Sequence, residues 1–147
     1  MVWGGISHRG KTVLVVVNGT LNSQRYCDEI VVPVVVPFLR QGNARILQQD
    51  NARPHTARHT QTTLQQNNIV TLDWPARSPD LSPIEHVWDI LGRHLRQRHN
   101  VNNVAELVIA LQHEWNQISM QEVRNLIRSM RRRCMAVIAA NGGHTKY

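Results

Sequence analysis

The chain has 147 residues, the size of one domain with a single core, and 41% of them are hydrophobic, which excludes a chain disordered by composition. Lys and Arg number 17 against 10 Asp and Glu, a formal charge of +7 that favours a polyanionic partner, nucleic acid ahead of an anionic membrane. Lys11 and Lys146 are the lysines; the other cations are arginines, which suit bidentate phosphate contacts. Cys27 and Cys134 lack metal-type spacing and read as free thiols of a reducing compartment. MVWGGISHRGK lacks a signal peptide's apolar core. The apolar run from Ile30 to Leu39 is too short to span a bilayer and carries two prolines, so the chain reads as soluble and intracellular.

Val2 to Ile6 and Thr12 to Val17 are β-type runs around a short glycine-containing loop, a predicted hairpin. Asn22 or Ser23 caps a helix through Tyr26 and Ile30. The following IVVPVVVPF is ambiguous between strand and helix, and we read it as a helix that kinks at Pro33. Ala44 to Gln49 is a short strand ending at Asp50. Pro54 sits in the first turn of a helix running to about Gln66, and Ile69 to Leu72 is another short strand. After the proline-dense loop WPARSPDLSP, Ser82-Pro83-Ile84-Glu85 has the capping-box pattern. The helix it opens runs to about Arg98, with Ile84, Val87, Trp88, Leu91 and Leu95 on one face. Two more helices are predicted, from about Val104 to Asn116 and from Met120 to Met130. Ser119 and Glu122 form a second capping box, and the tail reads as basic, then small and glycine-containing.

This order is an α/β pattern, in which active residues lie at the carboxyl ends of strands, where Asp50 falls. Asp50 and Glu85, with 34 residues between them, are the carboxylates to weigh. On local chemistry alone Asp50 reads equally as a turn residue, and Glu85 as the capping partner of Ser82. His55, His59 and His86 read as surface or loop histidines, because no His/Cys cluster has zinc spacing. Asp80 reads as ordering its loop, and Asp89 as a surface pair with Arg93. The tryptophans read as core residues. Arg93, Arg96 and Arg98 form a basic helix end and Arg131, Arg132 and Arg133 a second basic run; both are candidate phosphate contacts with no base-reading motif.

The strings QQDNARPHTA, LDWPARSPDLSPIEHVWDILGRHLR and SMRRRCMAVIAANGGHTKY, with MVWGGIS at the start, resemble the catalytic domain of Tc/mariner transposases over essentially the whole chain. The resemblance implies an RNase H-like α/β fold, a mixed sheet flanked by helices. It also implies a DDE triad holding two Mg²⁺ (or Mn²⁺) ions. Asp50 matches the family's second acid and Glu85 its third, each catalytic and metal-binding. Carboxylates suit this work because Mg²⁺ takes hard oxygen ligands, and two ions about 3.5–4 Å apart can activate a water or 3′-hydroxyl and stabilise the leaving oxygen. DNA (transposon ends and target, at TA dinucleotides), a homodimer and a nuclear location are implied in the same way, with no membrane and no small-molecule cofactor.

The departures are as informative. No acid precedes Asp28, so the family's first acid and the first strand that carries it have no counterpart, and neither do the helix-turn-helix modules that read transposon ends. Arg131 stands where the family usually has proline. We therefore expect a single partial domain over 1–147, divided into 1–98 and 99–147. Without the first strand, the hairpin either pairs with Ala44–Gln49 or leaves sheet edges open, and the chain alone is weakly stable or rearranged. Metal-dependent DNA cleavage and strand transfer is the family's function, expected to be lacking in this fragment with weak or no metal binding. The alternatives are a non-enzymatic DNA-binding or interaction module of the same ancestry, or a relic with no selected role.

Overall fold

In the computed structural model all residues are described except Arg77, His144, Lys146 and Tyr147. The chain divides into two units, residues 1–77 and 78–147. The helix carrying Glu85 therefore belongs with the C-terminal helices, and the expected division after residue 98 is corrected to one after 77.

The first unit begins with the hairpin. β1 (Val2–Trp3) runs antiparallel to β2 (Val15–Val16), with Val2 opposite Val16 and Trp3 opposite Val15, and an isolated bridge joins Ile6 to Lys11. Asn22 caps α1 (Ser23–Arg25), its side chain accepting from Arg25 N. The helix then widens to π geometry over Tyr26–Val35 and tightens again in α2 (Val36–Arg40). The segment read as kinking at Pro33 stays helical. A proline supplies no N–H and its ring crowds the preceding turn, and the wider π spacing, with Val36 N bonding Val31 O, carries the chain past it. Tyr26, Ile30, Val31, Val35 and Val36 bury one face and form the core with Val17 and Leu64, against which Trp3, Val15, Leu47 and Ile69 pack.

β3 (Ile46–Leu47) and β4 (Val70–Thr71) pair in parallel, a sheet separate from the hairpin. Among the described residues the hairpin does not pair with β3, and Ile46, Val70 and Leu72 are exposed. Between these strands the single helix expected from Pro54 to Gln66 is two, α3 (Arg53–Thr56) and α4 (Arg58–Gln66), because Ala57 is extended at ψ 144°. Side chains take up two of the backbone carbonyls freed there. Thr60 Oγ1 donates to Pro54 O at 2.6 Å and Gln61 Nε2 to His55 O at 2.9 Å.

In the second unit a 3₁₀ turn (Pro79–Leu81) leads into α5 (Pro83–Arg98), followed by α6 (Val104–Gln117), α7 (Met120–Arg128) and α8 (Met130–Ala139). α5 buries Val87 and Leu91 on its predicted face, and Trp88 stacks on the buried Trp115 of α6 at 5.4 Å between ring centroids. The Ser119–Glu122 capping box is formed in both directions. At Ser82 no side-chain cap bond forms, and its N–H donates to Pro79 O instead, so the capping-box role expected for Glu85 is corrected. The tail is helical where no helix was expected. No described helix is long and apolar enough to cross a membrane.

Candidate active site

Asp50 directly follows the Gln48–Gln49 segment that leaves β3. Its side chain is 68% exposed. Oδ1 accepts from Ala52 N at 3.1 Å, a turn in which the side chain bonds the backbone two residues on. That turn brings α3 back toward its own start, and His55 Nδ1 lies 2.6 Å from the same Oδ1. The His55 side chain is 16% exposed and its ring lies 4.5 Å from that of Tyr26. Tyr26 donates to Gln49 Oε1 at 2.7 Å, and burial pushes its phenol well above the usual range. His55, expected as a surface or loop histidine, is thus a half-buried partner of the candidate carboxylate. The sequence carried no signal for this contact: an Asx turn from Asp50 to Ala52 could be anticipated, but not that it returns the His55 imidazole to Oδ1.

Glu85 lies in the first turn of α5 and is exposed, near the positive end of a 16-residue helix. Asp50 belongs to the first unit and Glu85 to the second, and each offers hard oxygen. At Asp50 the bonds described converge on Oδ1 and leave Oδ2 without one among the described residues, which fits a ligand to a hard divalent cation. Among the described residues no group of three or more His, Cys, Asp or Glu is placed to hold a metal ion.

The basic residues separate into two kinds. Arg93, Arg96, Arg131 and Arg132 are exposed. Arg98 is half-exposed and bonds Glu114 at 3.1 Å. Arg133, expected among the phosphate contacts, is 1% exposed: Nε donates to Ser129 Oγ at 2.8 Å and Nη1 to Asp80 O at 2.9 Å, with His86 Nδ1 at 3.3 Å. Its guanidinium is consumed inside the unit, so the phosphate role is corrected. His86 is likewise an internal acceptor. Asp80 orders its loop as expected, its carboxylate accepting from Thr145 Oγ1 at 2.7 Å.

One cluster escaped the sequence. Glu114, 2% exposed on α6, accepts from His99 Nε2 at 2.8 Å and Arg98 at 3.1 Å, with the enclosed His94 Nδ1 at 3.0 Å but off the hydrogen-bonding direction. The His99 bond, then the Arg98 and His94 charges, hold its carboxyl below the usual range against the opposing effect of burial. His94 and Arg98, one turn apart at the end of α5, with His99 just past it, were visible in the sequence; the partner on the next helix was not.

An α/β chain with an aspartate just past a strand and an exposed glutamate in the first turn of a long helix carries two carboxylates able to offer oxygen to a hard cation. The family model described as DDE superfamily endonuclease matches residues 1–108, and the chain belongs to that family. It is 37% identical to the transposable element Tcb1 transposase of Caenorhabditis briggsae and 38% identical to the transposable element Tc1 transposase of Caenorhabditis elegans. Each match covers 100% of this chain and 54% of the relative, so the chain spans about half the length of these relatives. Among solved structures it matches the Mos1 transposase catalytic domain with Raltegravir and Mg at a TM-score of 0.81 and 22% identity, covering 99% of this chain and 75% of that one. It matches the Mos1 strand transfer complex at a TM-score of 0.78 and 23% identity, covering 95% and 42%. These likenesses establish the RNase H-like fold.

Proposed function

We propose that this chain is the catalytic-domain portion of a Tc/mariner-like transposase, acting in DNA transposition and integration by metal-dependent strand cleavage and strand transfer. The observation that carries this reading is the open Oδ2 of Asp50 at the end of the β3 segment, inside the stretch matched by the endonuclease family. The curated relatives, named as transposases, and the solved Mos1 structures with Mg and with Mn support it.

Asp50 and Glu85 would each give a carboxylate to Mg²⁺ or Mn²⁺. When bound, such ions sharpen an attacking water or 3′-hydroxyl and stabilise the leaving oxygen of an in-line displacement at phosphorus. The chain's own residues do the rest. The Asx turn and His55 fix Asp50, and exposed Arg93, Arg96, Arg131 and Arg132 supply cations for the phosphate backbone. Two carboxylates leave most of such an ion's coordination to water, so Asp50 and Glu85 acting alone would hold it weakly and in an incomplete site. The nucleus, where target DNA resides, is the place of action, and transposon-end and target DNA are the partners.

The test is nicking of supercoiled plasmid with Mn²⁺, comparing the chain with Asp50→Asn, alongside DNA binding as salt is varied. We expect no nicking and steeply salt-dependent binding. Nicking that Asp50→Asn abolishes would contradict the incomplete-site reading while upholding the metal role of Asp50; nicking that survives it would contradict that role.

A further inference from the structure

Asp50 is mostly exposed, and a carboxylate at a chain turn is free to rotate about its last bond unless something holds it. The structure assigns that task to His55, as a positioning residue that fixes which oxygen of Asp50 faces a cation; the inference rests on the metal-binding reading above.

Both constraints on the carboxylate fall on one atom. Ala52 N and His55 Nδ1 meet at Oδ1, 3.1 and 2.6 Å away. An ionised carboxylate only accepts, so the shared proton belongs to Nδ1, which also lies 3.3 Å from the Asp50 backbone carbonyl. The imidazole is itself held. It follows Pro54 in the first turn of α3, whose ring restricts the backbone there. Its ring packs against that of Tyr26 at a 46° tilt, and Tyr26 is 1% exposed and anchored through its hydroxyl to Gln49. Tyr26 thus orients His55, and His55 orients Asp50. With Oδ1 committed twice, Oδ2 is the oxygen open to coordination. Hydrogen-bond partners behind a ligand typically change metal affinity 10–100-fold when removed.

The experiment measures Mn²⁺ binding by calorimetry on the whole 147-residue chain and on three variants, with thermal melts as a check of folding. Asp50→Asn removes the ligand. His55→Leu removes the donor and keeps bulk against Tyr26. His55→Asn restores an N–H close to the position of Nδ1. We expect Asp50→Asn to abolish binding, His55→Leu to weaken it about 10–100-fold, and His55→Asn to recover to within a few-fold of the wild type. Wild-type affinity in a folded His55→Leu, or an Asn variant no better than Leu, overturns the positioning role while the Asp50 ligand stands. Wild-type binding in Asp50→Asn removes the metal reading and this inference with it. A readout free of metal and of variant folding is the imidazole ¹H–¹⁵N spectrum of the wild type. It should show His55 protonated at Nδ1, and a ring carrying its proton on Nε2 alone would overturn the assignment.

Discussion

Replacing Arg133 with methionine separates an internal arginine from a phosphate contact. Arg133 is 1% exposed and donates to Ser129 Oγ and Asp80 O at 2.8 and 2.9 Å, with the longer His86 contact at 3.3 Å. Hydrogen bonds to a charged group contribute about 1.5–3 kcal/mol each, and a stranded buried acceptor costs about 1–3 kcal/mol. Methionine regains part of that, since burying its apolar chain is worth about 1.5–3 kcal/mol and no charge is left to desolvate. Taking the middle of each range, the difference leaves a net loss of about 4 kcal/mol. At roughly 2–4 °C per kcal/mol for a chain of this size, the melting midpoint should fall by about 8–16 °C. The assay is a urea and thermal melt of wild type and Arg133→Met, with Arg131→Ala and Arg132→Ala as controls expected within about 0.5 kcal/mol of wild type. An Arg133→Met variant as stable as wild type, but weakened in DNA binding like the controls, would refute the internal role.

Other expectations follow from the same geometry. Glu114→Gln should destabilise the chain at neutral pH and much less in acid. The folded carboxyl lies below its unfolded value, so its contribution is present above the unfolded Glu range near pH 4.3 and is lost as pH falls through the folded value; urea midpoints across pH check this. Thr60→Val keeps shape but strands the Pro54 carbonyl at the break between α3 and α4, and should cost about 1–3 kcal/mol in denaturant melts. Arg131→Ala with Arg132→Ala should lower the slope of log affinity against log salt by about 2 without changing stability, as read by fluorescence anisotropy on duplex DNA.

Much of this was legible in the residues because local chemistry decided it. The α5 face, the Ser119–Glu122 box and the strand ending ahead of Asp50 follow from periodicity, caps and proline positions. What escaped was decided by distant partners. α8 was hidden because its buried position is filled by Arg133, whose acceptor Asp80 lies 53 residues earlier, so the run RRR reads as solvated. The break at Ala57 was hidden because Thr60 and Gln61 side chains take up freed backbone carbonyls, which composition does not announce. The Ser82 box failed because the 3₁₀ turn before it claims the Ser82 N–H. Of the candidate site, both acids were named by resemblance. The His55 support was not, because an exposed-looking histidine reads as polar surface until the Tyr26 ring behind it is known.

The central claim is that Asp50 and Glu85 are the cation-binding carboxylates of an endonuclease-family domain. The most direct measurement is electron paramagnetic resonance of Mn²⁺ titrated into the chain, Asp50→Asn and Glu85→Gln, with Asp89→Asn as a control. The account predicts weak binding by wild type and control, lost in each of the other two variants; equal Mn²⁺ binding by all four proteins would contradict it.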